Sequence, residues 1–378
     1  MVPFESLTFF YVLGIVLLLA AVCGLLGKGL KVFSLAANVL MILFIFNTPL
    51  KLLYLCSFCI FSLALVLIYQ ALRKKGKNAV VGAAFIILGI LPLFISKLGG
   101  ILPGGTFTFL GISYITFRLI QTIIILYDGI ITGIDPLGFL YFLMFFPTIG
   151  SGPVDRYNRF LEDFTKKISK EEYAVMLKEG VWKLMSGVLY SFGFAALINT
   201  FFLSKMTGNS VLHIWGYMYA YTFFLFFNFA GYSNMAIGAG YILGIKVPVN
   251  FNMPFLAKDL KDFWSRWHIS LSTWFRDYIY TRVAVLSVSK KWFKNVYMGS
   301  YLGYFIAFLT MGLWHGLTLR YIIYGLYYGV LMCLNDILDN KVKWFKKIKR
   351  KDKWALPLML ITFNLIAFGM LIFSGKVV

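Results

Sequence analysis

Charge is what this chain has least of. Of its 378 residues only 13% are charged, well under the ~25% usual in soluble domains, while 60% are hydrophobic, so a soluble globular fold is excluded. Acidic residues are scarcer still, 15 against 36 Lys and Arg. No RNA- or DNA-binding motif accompanies that excess, and no nucleic-acid partner is expected. Short alternating segments are absent, which removes a transmembrane barrel. Cysteines number four, Cys23, Cys56, Cys59 and Cys333. Cys56 and Cys59 form a lone CxxC inside an apolar run with no second ligand pair, which reads as packing and not as a metal or redox site. There is no Cys-His pair, no GxSxG and no HExxH, so neither a protein-bound acyl intermediate nor a metal mechanism has local support. No internal repeat is evident, which weighs against inverted-repeat transporters.

What is present is a series of apolar runs near the ~20 residues a helix needs to cross a bilayer. Spans are expected over 6–26, 32–46, 52–72, 79–96, 107–127, 184–203, 211–243, 296–317, 321–334 and 354–373. The start lacks a basic region and a cleavage site, so the first span is expected to be retained. A Gly/Pro turn covers 99–105. Residues 137–149 are too few to cross comfortably and read as re-entrant. Residues 161–180 read as a surface helix, with Ser169 as N-cap and Glu172 three residues on. In 256–282, Leu260, Phe263, Trp264, Trp267, Leu271, Trp274, Phe275 and Tyr278 recur at three- and four-residue steps, predicting one interfacial or partly inserted helix with an aromatic face. With the start outside and 137–149 re-entrant, the basic loops at 28–31, 73–77, 156–183, 246–294 and 341–353 all fall in the cytoplasm. The expectation is an all-α polytopic protein of about ten spans. A single membrane-embedded domain is expected: N-terminal spans to 100, a core over 101–335 that would hold any catalytic residues, then a basic loop and last span. The basic excess beyond topology fits anionic lipid headgroups or an acidic cytosolic partner.

The chain holds only three histidines, His213, His268 and His315, and two of them directly follow a tryptophan. His315 lies in an apolar run between Gly312 and Gly316, where an ionisable group is a functional candidate and an imidazole suits proton transfer near neutrality. A structural histidine bonded to a backbone carbonyl is the competing reading. His268 borders the aromatic face, where packing is the simpler account. A histidine base acting on a donor and acceptor brought from outside fits acyl transfer from a thioester to a hydroxyl. Arg118 would line an aqueous funnel or pair with Asp155 or Asp128.

The string DFWSRWHISLSTWFRDYIYTRV, with the histidine of GLWHG 47 residues after its own, resembles the membrane-bound O-acyltransferase family. GISYITFRLIQ at 111–121, FPTIGSGPVDRYNRF at 146–160 and FNFAGYSNMAIGAGYILGIKVPVNFNMPF at 227–255 extend the resemblance over most of the chain beyond about residue 100. The resemblance implies a ring of about 10–11 helices around a central funnel, with His315 catalytic and His268 its partner. Trp314, Trp267, Arg118, Gln121 and Asn234 are the funnel candidates. Within the family the wording is nearest the branch that D-alanylates teichoic acids in Gram-positive cell walls. That branch implies a plasma-membrane enzyme, an acidic carrier protein bearing D-alanine on a phosphopantetheine thioester, other membrane proteins of the same operon, and lipoteichoic acid or an intermediate as acceptor. No cofactor bound by the chain itself is implied. Arg282, Val283, Val285, Leu286, Lys290, Lys291 and Lys294 form the basic and apolar segment suited to the carrier; a lipid-facing basic surface is the alternative. O-acetylation of an exported polysaccharide is the second reading, and a proton-coupled transporter the third. On a straight helix from residue 296, His315 would lie about 28 Å along at ~1.5 Å per residue, near the outer end. A cytosolic thioester would then need a recessed or hollow core to reach it.

Overall fold

Helix ends in this chain fall where small polar, proline and glycine residues interrupt the apolar runs. In the computed structural model, which describes residues 2–99, 107–208 and 210–378, almost all regular structure is helical. Most of the Gly/Pro turn expected over 99–105 lies outside the described residues. The described residues form two units, each described by itself: residues up to Val188 with Tyr232–Pro248, and Leu189–Gly231 with Val249–Val378.

The first unit contains α1 (Leu7–Leu26), α2 (Leu30–Ile45), α3 (Pro49–Lys74), α4 (Ala79–Leu98), α5 (Ile112–Asp128), α6 (Pro136–Leu143), α7 (Tyr157–Thr165) and α8 (Lys170–Val188). Ser6 caps α1, and α1 stops at Gly27, whose φ of 71° is left-handed. Thr48 caps α3 and Pro49 opens it, so one short sequence ends α2 and starts the next helix. Fourteen of the 17 residues of α5 are buried, which makes it the central helix of this unit. The run expected to be re-entrant is an eight-residue helix followed by a 3₁₀ turn, Phe146–Thr148. The expected surface helix over 161–180 is instead two helices, α7 and α8, separated at 166–169. Ser169 caps the second as anticipated, accepting from Glu172 N–H at 3.2 Å.

The second unit holds α9 (Ala196–Phe201), the part of α10 (Val211–Ile242) up to Gly231, α11 (Leu260–Trp264), α12 (Ile269–Phe275), α13 (Thr281–Ser289), α14 (Val296–His315), α15 (Leu319–Lys341), α16 (Lys343–Lys349) and α17 (Ala355–Ser374). α14 and α15 approach closely because glycines face backbone across them. A Cβ on Gly312 would collide with the Tyr321 carbonyl oxygen, and one on Gly325 with that of Phe308. The glycines beside His315 thus serve a neighbouring helix.

Six helical stretches among the described residues are long and apolar enough to cross a bilayer: Leu7–Leu26, Pro49–Lys74, Ala79–Leu98, Lys170–Lys205, Leu319–Lys341 and Asp352–Ser374. The protein is a multi-pass, all-α membrane protein. Of the four further expected spans, α2 has 16 residues, just under the shortest crossing length, and α5 has 17, at its lower end. α10 and α14 have 32 and 20 residues.

The basic run 341–353, expected as a loop, contains α16 and a 3₁₀ turn, and it is not simply a solvated charge cluster. Lys349 bonds Asp259, the N-cap of α11, and lies 2.7 Å from Asp339. Lys261 bonds Asp336 and lies 3.4 Å from Asp339, and Leu260 N–H donates to Asn335 Oδ1 at 3.1 Å. Burial works against the Lys349 ammonium, yet its hydrogen bonds to Asp259 and Asp339 hold its pKa above the ordinary lysine value. These contacts fasten α11 to the ends of α15 and α16. Asp259→Ala is expected to lower the unfolding free energy in detergent by about 2–4 kcal/mol, between the loss of an N-cap and of a buried ion pair. An unchanged thermal midpoint would show that the cluster does not hold α11.

Candidate active site

The expected continuous aromatic helix over 256–282 does not exist as one helix. It comprises α11, a break at 265–268, α12, a π turn at Arg276–Tyr280 and then α13. The break has a non-local cause. Residues 250–252 lie alongside it: Phe251 and Trp267 form an antiparallel bridge, Ile269 N–H donates to the Asn250 carbonyl at 2.9 Å and Asn252 N–H to the Arg266 carbonyl at 3.0 Å. Asn250 Oδ1 also accepts from the Ser270 hydroxyl at 2.6 Å. His268 is therefore not on a helix face. It is the N-terminal flanking residue of α12 with φ 43°, a left-handed conformation costly for a residue with a Cβ. The surrounding backbone pairing compels it.

That geometry turns the His268 ring into the interior of the second unit. The residue is 6% exposed, its ring meets Phe229 edge-on at 4.6 Å, and its Nε2 is buried without a hydrogen-bond partner. His315 is the last residue of α14, followed by Gly316 in extended conformation. Its ring is partly exposed and sits among Trp314 at 4.6 Å, Phe373 at 4.9 Å and Tyr324 at 5.9 Å. Both histidines line one cavity of about 70 Å³, together with Trp267, Trp264, Met311 and Tyr324. At ~30 Å³ per water this admits two or three waters, or a small reacting group.

A wider cavity of about 320 Å³ shares Trp264 and Met311 as walls with the first. Its lining runs from apolar Phe308, Ala307 and Met332 to polar Lys261, Ser272 and Arg276. Trp264 is 7% exposed, wedged at 5.0 Å from Tyr328 and 5.1 Å from Phe308, and its indole N–H has no acceptor. A buried donor without a partner is costly in a native structure. Sequence reasoning placed Trp264 only on an aromatic face. Its position between two cavities depends on the break that spacing does not reveal. Chemically, the pair of cavities offers two imidazoles and one indole N–H donor without an acceptor.

The other expected funnel residues, Arg118, Gln121 and Asn234, belong to the first unit and make hydrogen bonds there, with Arg118 Nε left buried without a partner. Arg118, fully buried, donates to the carbonyls of Phe142 at 2.7 Å, Leu143 at 2.9 Å and Thr148 at 2.9 Å, and to the Thr148 hydroxyl. It binds backbone carbonyls at the end of α6, not Asp155 or Asp128. A helix C-terminus leaves its last carbonyls unmatched and partially negative, which is what a guanidinium satisfies. Asp155 instead pairs with Arg159. Gln121 donates to the Asp155 carbonyl at 2.6 Å and accepts from Arg156 at 3.3 Å. Asn234 donates to Ser186 at 3.4 Å.

The basic and apolar segment is surface. Val285 and Leu286 on α13 are 60% and 43% exposed, Lys290, Lys291 and Lys294 are exposed, and Arg282 and Val283 are half-buried. Trp292 and Phe293, 49% and 38% exposed, add two aromatic rings that the sequence reading left out.

Comparison with known proteins bears on this arrangement. The sequence pattern described as MBOAT, membrane-bound O-acyltransferase family, matches residues 37–373. A Bacillus subtilis protein named teichoic acid D-alanyltransferase is 44% identical over 100% of this chain and 98% of its own length. A protein of the same name from Streptococcus thermophilus is 37% identical over 86% of this chain and 83% of its own. A probable alginate O-acetylase of Pseudomonas aeruginosa is 34% identical over 71% of this chain and 49% of its own. Matched across most of its length, the chain belongs to the membrane-bound O-acyltransferase family and is an acyltransferase.

Proposed function

We propose that the protein moves D-alanine from the phosphopantetheine thioester of an acidic carrier protein toward a teichoic acid acceptor at the plasma membrane, with His315 as general base and His268 beside it. The observation that carries this reading is that two histidines 47 residues apart line one small cavity that shares walls with a wider one. The wider cavity has room for a slender thioester arm, and the small one for its acyl end. His315 takes the proton of the acceptor hydroxyl as its oxygen attacks the thioester carbonyl. The new C–O bond forms, the C–S bond breaks, and the departing thiolate takes the proton from His315, which returns to its neutral form. Charge builds on the carbonyl oxygen in between, and the Trp264 N–H is the donor available to it. His268 keeps the cavity's shape and polarity around His315.

Carrier docking is assigned to Arg282, Val283, Val285 and Leu286 with Lys290, Lys291 and Lys294, extended by Trp292 and Phe293. Charge reversal at Lys290 and Lys291 is expected to weaken carrier binding about tenfold at low salt, with most of the loss in association rate. Unchanged binding would remove this surface. The acceptor class rests on the coverage of relatives: those named for D-alanyl transfer match 85% or more of this chain, the alginate relatives 68–78%. The deciding experiment supplies membranes with either labelled D-alanyl carrier or labelled acetyl donor. Transfer of acetyl alone would select the polysaccharide reading. Flux of a solute without any acyl donor would select a transporter.

A further inference from the structure

Within the first unit lies an open cleft of about 580 Å³ that the proposed reaction does not use. Its charge is one-sided. Lys31, Lys166 and Lys167 border it, and the one acid on its wall, Asp163, already accepts from Arg159 at 2.7 Å and from Lys246 N–H at 2.8 Å. Lys166 meets Glu172 at 2.7 Å, and the Lys31 ammonium stands 4.2 Å from the centre of the Phe164 ring. The cleft also receives the start of α2. That helix opens at Gly29, φ 71°, with no side chain capping it, so its first N–H groups lack intrahelical acceptors and carry the helix's partial positive charge. Nothing stands within 4 Å of where a Cβ on Gly29 would point, so this end is open.

A separate observation points the same way. Tyr141 lines the cleft, is 3% exposed, and its hydroxyl is buried with no hydrogen-bond partner. A hydroxyl left so is a cost that an incoming oxygen ligand removes. Leu30, Phe164, Ile168, Leu243 and Ile245 supply an apolar part of the wall. Residues 28–31 and 156–183 fall on the cytoplasmic side by charge, where anionic lipid is found.

We propose that this cleft binds the phosphate of an anionic membrane lipid, the phosphate between Lys31, Lys167 and the α2 N-terminus, a headgroup oxygen on Tyr141, and the acyl chains along the apolar wall. Free phosphate shares the charge but not the chains. The full-length protein, delipidated in neutral detergent, would be titrated with phosphatidylglycerol, phosphatidylcholine or inorganic phosphate, and followed by thermal unfolding and by native mass spectrometry of retained lipid. Phosphatidylglycerol is expected to bind saturably and raise the melting temperature, while the other two do not. Lys31→Gln and Lys167→Gln should each weaken its retention about fivefold, the scale of one lysine at an anionic lipid surface. Tyr141→Phe separates binding from packing: without lipid the melting temperature stays or rises, while phosphatidylglycerol retention falls. Equal retention of both lipids, saturable binding of inorganic phosphate with no preference for lipid, or undiminished retention in the Lys31→Gln/Lys167→Gln variant would overturn the proposal. No acyl donor enters these measurements, so their outcome is independent of the transfer reaction.

Discussion

Membranes carrying His315→Ala are expected to leave labelled D-alanine on the carrier protein, with transfer reduced ~10²- to 10⁴-fold, the range for removing a general base. Carrier binding should be unchanged, because the surface assigned to it is on α13 and the residues after it. Folding should survive, since the imidazole is partly exposed and stands at the end of α14, not in its middle. His315→Gln makes the result sharper: it retains a polar side chain of similar reach but cannot take up a proton as an imidazole does. Near-wild-type transfer by His315→Ala would remove His315 from the chemistry. Recovery by Gln but not by Ala would make its role one of hydrogen bonding.

Trp264→Phe tests the second assignment, and its sign differs between a structural and a catalytic role. The substitution keeps a ring against Phe308 and Tyr328 and removes the buried N–H that has no acceptor. If the indole only packs, losing an unmatched donor costs nothing beyond the smaller ring and stability is held or improved. If the N–H donates to the thioester oxygen as charge develops, transfer falls about 10²-fold in kcat with KM for the carrier little changed. Unaltered kcat would exclude the donor role and leave Trp264 as a wall between two cavities.

Much of the scaffold is readable from local chemistry. Thr48 and Pro49 mark a boundary because one accepts a hydrogen bond at a helix start and the other lacks an N–H to lose. Ser169 and Glu172 mark the start of α8 for a related reason, even though the helix begins later than its amphipathic pattern implies. Where reading fails, a distant segment intervenes. The three- and four-residue spacing from Leu260 to Tyr278 fits a single helix, and nothing local contradicts it. Pairing with 250–252 breaks that helix and forces the His268 backbone to positive φ. Lys349 is indistinguishable in sequence from its basic neighbours, but it alone of them is fastened to Asp259. Arg118 invited a carboxylate partner and bonds to carbonyls, which carry no side-chain signature.

The amino-acid sequence alone determined the solvent and the candidate groups. Long apolar stretches need a bilayer because helices satisfy their own backbone polar groups there, and of only three histidines two, His268 and His315, stand beside tryptophans in the matched family wording. Only the tertiary structure decided that these two rings share a cavity, that Trp264 and Met311 stand between it and a wider one, and that Tyr141 faces a lysine-rimmed cleft. Each of those facts depends on contacts between residues far apart in the chain, and hydrophobic spacing along one helix carries no record of which distant segment will lie against it.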